Sequence, residues 1–265
     1  MNPVLTAVGT RLARYLAKPV HVHISAPPTS SERLLAVLRP GDVLLVEGHS
    51  RLSTAIKYLT QSTWSHAALY VGEHLAEAGG NAEHRFVEAD VIEGVRSLGV
   101  HEFAEYHTRI CRPVGLDDAA CRQVTRYAIE RIGSHYDLRN IIDLMRYLLP
   151  TPPVPSAMRR RMLAFGSGDP TRAICSTLIA QAFQSVPYPI LPITIRHDRA
   201  TPQCPGCFEE MLHIRHYSLF APRDFDVSPY FQIIKPTIAL GFDYRSLHWN
   251  ESDYADVLHP PRHAT

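Results

Sequence analysis

Trp64-Ser65-His66-Ala67-Ala68-Leu69-Tyr70-Val71-Gly72 is the stretch on which the reading of this chain turns. His66 to Val71 is a short, nearly continuous apolar run, as expected of a buried strand, and Gly72 closes it. His66 is its only ionisable group with a titration near neutrality, and it stands at the strand's entrance.

Outward from this strand the pattern repeats. On the N-terminal side, Asp42 to Glu47 (DVLLVE) is a second short apolar run. Between the two, Ser50 to Leu59 has helical spacing at Leu52, Ile56 and Leu59, with Ser50 as cap. Earlier still, Glu32 to Leu38 reads as a short helix ended by Pro40-Gly41. On the C-terminal side, Glu73 to Glu83 reads as a loop. Arg85 to Ile92, Gly94 to Val100 and Arg109 to Val114 read as strands. Asp117-Asp118 then caps a helix running to Ile132, and Gly133 ends it. Leu138 to Leu149 and Met158 to Leu163 are further helical pieces, separated by the proline break Pro150 to Pro155. Ile174 to Ser185 is an amphipathic helix with Leu178, Ile179, Ala182 and Phe183 on its inner side. Beyond Val186 the chain is proline-rich and reads as irregular, with a short helix near Phe208 to His213 and a strand at Tyr230 to Ile234. Strands first and helices afterwards indicate an α+β domain with an antiparallel sheet.

The composition fits that picture. The 265 residues are 45% hydrophobic and 20% charged, an ordinary globular profile with enough chain for a substantial core. With 27 basic and 26 acidic side chains, the balance speaks against nucleic acid as a partner. Five cysteines at uneven spacing do not suggest a disulfide framework, so a reducing, cytoplasmic setting is expected. Met1 to Val20 shows no secretory-signal pattern. Its Arg11, Arg14 and Lys18 among apolar residues fit a basic amphipathic helix, either packed on the domain or in peripheral contact with a membrane. The expected organisation is an N-terminal helix and linker (1–31), a main domain (32–240) with a Cys/His-containing insertion near 197–216, and a C-terminal extension (241–265).

Three polar residues stand where apolar ones are expected. They are His66 at the strand entrance, Glu88 inside Phe86-Val87-Glu88-Ala89, and Cys175 at the start of the amphipathic helix. A thiol at a helix N-terminus feels the positive end of the helix dipole, which favours its thiolate. An imidazole beside it can accept the thiol proton and later protonate a leaving group. A carboxylate on the far imidazole nitrogen fixes the tautomer and stabilises the imidazolium. Adjacent strands lie about 4.8 Å apart, so His66 and Glu88 can sit side by side on one sheet face, with the Cys175 helix packed against that face. Taken singly, each has a plainer reading: a satisfied histidine, a small buried cysteine, a solvent-facing glutamate.

The ordered set resembles a known family. Gly41-Asp42-Val43-Leu44-Leu45, then Trp64 to Gly72, then Phe86-Val87-Glu88-Ala89, Gly133-Ser134-His135-Tyr136-Asp137, Ile174-Cys175-Ser176-Thr177-Leu178-Ile179 and Ala221 to Phe231 look like the permuted branch of the NlpC-like cysteine hydrolases, the YiiX/YebB-like proteins. The resemblance implies a circularly permuted papain-like fold, in which the sheet precedes the nucleophile helix. It implies Cys175 as nucleophile, His66 as base, Glu88 as the orienting residue and Tyr136 as an accessory residue, with no cofactor. It implies a hydrolase or transferase acting through a cysteine acyl-enzyme on an amide, ester or thioester bond, a peptide amide being the peptidase-like case. The arrangement also resembles lipid-acyl enzymes such as lecithin:retinol acyltransferase, so an acyl-lipid ester is the alternative substrate.

A second constellation, Cys204-Pro205-Gly206-Cys207 with His213 and His216, has two thiols and two imidazoles that could hold zinc tetrahedrally. The short gap before His213 departs from common zinc-finger spacing, and the bland alternative is a turn with free side chains. A non-catalytic, zinc-stabilised binding module is therefore the competing reading of a different class.

Overall fold

The computed structural model describes residues 28–134, 174–198 and 208–247, together with Tyr15, Lys18 and Pro19. The helices expected at Leu138 to Leu149 and Met158 to Leu163, the proline break, Tyr136, and the Cys204/Cys207 pair lie outside the described residues.

The elements follow in the order α1 (Ser31–Leu35), β1 (Val43–Val46), α2 (Arg51–Thr60), β2 (His66–Tyr70), α3 (His74–Glu77), β3 (Phe86–Asp90), β4 (Gly94–Leu98), β5 (Thr108–Pro113), α4 (Asp118–Ile129), α5 (Ile174–Gln184), β6 (Ile193–Asp198), β7 (Phe208–His213), α6 (Pro222–Asp226), β8 (Phe231–Ile234) and α7 (Pro236–Ala239). Six strands form one sheet in the order β4-β3-β2-β1-β5-β8, and every neighbouring pair is antiparallel. Mixed helices on an antiparallel sheet make this the α+β architecture expected.

Strand alternation divides the buried side chains between two layers. Val43 and Leu45 of β1, Ala67 and Leu69 of β2, and Val87 and Ala89 of β3 face α4 and α5, where Val124, Ala128, Leu178, Ile179, Ala182 and Phe183 close the larger core. Leu44, Val46, Ala68, Tyr70 and Phe86 face the other way, onto Leu34, Leu38 and Phe103. Strands β1 and β2 are thus covered on both faces, which is why their sequences are continuously apolar.

Local signals place the ends. Ser50 caps α2 by accepting the Ser53 N–H at 3.0 Å, and Asp117 caps α4 by accepting that of Ala120 at 2.7 Å. Gly72 ends β2 at φ +58°, and a Cβ there would stand 3.1 Å from Pro40 Cγ. The start of β1 is locked to β5 by Arg112, whose Nε and Nη2 donate to the two oxygens of buried Asp42 at 2.9 and 2.7 Å.

Two expectations need correction. Phe208 to His213 is a strand, not a helix. It pairs antiparallel with β6 over six residues, from Ile193↔His213 to Asp198↔Phe208, within a region read as irregular. Ile193-Thr194-Ile195 has the β-branched composition of a strand, and pairing with it overrides the local helical tendency of Glu-Glu-Met-Leu. The Glu73 to Glu83 loop contains the single helical turn α3, which drives Leu75 into the larger core.

Candidate active site

The site forms where the sheet comes apart. Strand β2 pairs with β1 along His66 to Leu69, and β3 pairs with β4 along its whole length. Between β2 and β3, however, the ladder holds only Leu69↔Val87 and Tyr70↔Phe86. From Ala68 toward His66 the two strands part. Amide direction shows what fills the opening. Tyr70 N–H donates to Asp42 on the β1 side, and Val71 N–H donates to Arg85 on the β3 side. By alternation Ala67 N–H also points toward β3, where no strand partner meets it. It donates instead to the sulfur of Cys175. The thiol at the head of α5 therefore sits between the parted strands, and α5 packs across both of them.

This differs from the arrangement expected. By register, His66 pairs with Val46 and Glu88 pairs with Arg96, so both carry the parity of the smaller core, while α5 covers the opposite face. The thiol reaches the imidazole through the opening at the sheet's end, not across a shared face. The three residues still meet. His66 Nε2 donates to Glu88 Oε2 at 2.6 Å, and the ring hydrogen-bonds the Cys175 sulfur. With Nε2 given to a carboxylate that only accepts, Nδ1 is the nitrogen left for sulfur.

The charges support one another. Burial works against the imidazolium, but Glu88 and Cys175 outweigh it and hold His66 well above its ordinary value. Burial pushes the Glu88 carboxyl up, yet His66 and then Arg96 hold it down at about 2. Burial likewise raises the Cys175 thiol, while His66, the Ala67 amide and Ser176 bring it below the ordinary thiol value. At Cys111 and Cys121 burial and then nearby aspartates outweigh a single arginine each, and both thiols are pushed up, Cys121 to about 11. Among the described free cysteines only Cys175 has its thiol shifted below the ordinary value.

The surroundings hold Trp64, and with it the approach to His66. Trp64 Nε1 donates to Asp226 Oδ2 at 3.1 Å, and Arg109 Nη1 donates to Asp226 Oδ1 at 2.7 Å. The Arg109 guanidinium lies 4.9 Å from the Trp64 ring centroid. At the end of β1, buried Glu47 binds His107 Nδ1 at 3.0 Å and Lys57 Nζ at 3.4 Å.

Sequence reasoning missed Arg96 and the Ala67 amide. Arg96 occupies an ordinary polar position of an alternating strand. Only its register opposite Glu88 reveals it. Of the proposed zinc ligands, His213 and His216 are exposed, and His216 Nδ1 is bonded to Ser218 Oγ at 2.8 Å. Among the described residues no group of three or more His, Cys, Asp and Glu side chains is disposed to hold a metal ion.

Comparison with known proteins gives two matches. Residues 37–147 match the model of the permuted papain-like amidase enzymes of the YaeF/YiiX family. That match spans His66 and Glu88 and ends before Cys175. The chain is also 20% identical over 206 residues to the "Probable lipoprotein peptidase YaeF" of Escherichia coli (strain K12), covering 71% of each protein. The matched family is one of papain-like amidases and peptidases, which places the chain, at the coarse level, among hydrolases. Over residues 37–147 the sequence thus matches the permuted papain-like YaeF/YiiX family, and the α+β architecture is consistent with that match.

Proposed function

We propose that the chain is a thiol-dependent amide hydrolase acting through an acyl-enzyme on Cys175. The observation that carries this reading is the Cys175–His66–Glu88 chain of hydrogen bonds in the opening between β2 and β3. The Cys175 thiolate attacks the substrate carbonyl carbon, forming a carbon–sulfur bond. The resulting oxyanion is received by the Cys175 backbone N–H, at the N-terminal end of α5 as described. His66, an imidazolium at this point, gives its proton to the departing amine as the carbon–nitrogen bond breaks. It then takes a proton from water, which attacks the thioester and releases the acid and the thiolate. Glu88 keeps the ring in one orientation and stabilises its charged form.

An acyl-lipid ester remains the second reading. A groove of about 250 Å³ lined by Pro187, Tyr188, Ile190, Leu191, Leu212 and Ile214 favours it. That groove, however, adjoins Gln184 at the far end of α5 from Cys175, about 14 Å along the helix axis. A substrate chain lying there would not bring its carbonyl to the thiol without spanning that length. The family match also favours the amide.

The test is intact-mass and peptide mapping after rapid quenching with a library of peptide amides and acyl esters. An acyl adduct on the Cys175 peptide, absent from Cys175→Ala, is the expected result. Undiminished amide hydrolysis by Cys175→Ala would overturn the proposal. An adduct formed from esters alone would select the second reading.

A further inference from the structure

We propose that Arg96 is a positioning residue of the thiol site, gripping one oxygen of Glu88 so that the other is presented to His66. This rests on the reading of Cys175, His66 and Glu88 given above.

The geometry divides the carboxylate. Arg96 stands directly across from Glu88 in the β3–β4 ladder. Its Nε and Nη2 both meet Oε1, at 2.9 and 2.8 Å, while His66 Nε2 meets Oε2 at 2.6 Å. Arg96 is itself anchored from the other side, since Nη1 donates to Glu93 Oε2 at 2.9 Å. A carboxylate with a single partner can turn about its terminal bond and offer either oxygen. Two donors from a planar guanidinium on one oxygen remove that freedom. The grip comes from the partly exposed rim: the Arg96 side chain is 36% exposed and that of Glu88 only 5%.

Among the described residues the charged neighbours are few. Glu88 faces His66 from β2 and Arg96 from β4. Arg96 faces Glu88, Glu93 and Asp90. His66 faces Glu88 and, from α5, Cys175. Arg96 can thus act on the imidazole in two opposed ways. As a mere positive charge it disfavours the imidazolium, so its removal would raise the His66 titration. As a positioning group it keeps Glu88 on the ring, so its removal would lower that titration.

The experiment is an NMR titration of the His66 ring in wild type, Arg96→Gln and Arg96→Lys, with the pH dependence of amide hydrolysis beside it. The expected result is a fall of about one pH unit in Arg96→Gln, the size of a single close charge partner, and a partial recovery in Arg96→Lys. The basic limb of kcat/KM should move with it. An unmoved or raised His66 titration overturns the proposal, because a structural role leaves it unmoved and a bare charge raises it. If Arg96→Gln does not fold, Arg96→Lys is read alone by the same signs. Failure of the underlying reading looks different: wild-type His66 would titrate in the ordinary range, and Cys175→Ser would not change it.

Discussion

A carboxylate as buried as Glu88 keeps its charge only if its neighbours replace the water it has lost. His66 and Arg96 do so, holding its folded-state value at about 2 against an ordinary 4.5. A depressed carboxylate stabilises the fold above its unfolded value, and that contribution disappears as pH falls from 4.5 toward 2. The raised imidazole has the opposite sign. Its contribution is complete below 6.5 and is lost as pH rises through the higher folded value. Urea midpoints measured across pH should therefore fall on the acid side in wild type and fall less steeply in Glu88→Gln. The same substitution should lower kcat by about 10²-fold or more, because glutamine cannot stabilise the imidazolium. His66, Glu88 and Cys175 were legible in the sequence because each interrupts an apolar pattern with a group that burial would otherwise penalise. Arg96 was not, since an arginine on the polar side of a strand is ordinary until the strand opposite it is known.

At the scale of elements, caps and breakers were the readable part. Ser50, Asp117 and Gly72 each do locally what their chemistry demands. Asp117→Ala should therefore cost about 1 kcal/mol, seen as a lower denaturant midpoint at unchanged slope, with Cys175 reactivity preserved. The pairing of β6 with β7 escaped local reading because a strand is defined by its partner as much as by its own residues. The parting of β2 from β3 escaped for the same reason. No residue type announces where a ladder stops, and Ala67 owes its importance to an amide that alanine shares with every residue but proline.

Across the whole molecule, α5 links the site to the late part of the chain. Phe183, fully buried, packs against Tyr188, Phe225 and Phe231 with ring centroids 5.5, 6.5 and 5.3 Å away. Through it α6 and β8 are fastened to the helix that carries Cys175. Phe183→Ala should cost about 3–5 kcal/mol in chemical denaturation and should lower the reactivity of Cys175 at neutral pH as the helix loosens. The sheet-before-helix order was visible in the sequence; the route by which the helix meets the sheet was not, because it depends on register.

That order also bears on how the protein is made. A ribosome releases His66, Glu88 and Arg96 well before Cys175. At ordinary elongation rates the interval between Glu88 and Cys175 is on the order of ten seconds. For that time the nascent chain carries the imidazole and the carboxylate of the proposed site but not its proposed nucleophile. The thiol emerges last among them, to a sheet whose β1–β4 strands have already left the ribosome, so the reactive centre is armed by the chain's own later synthesis and not before it.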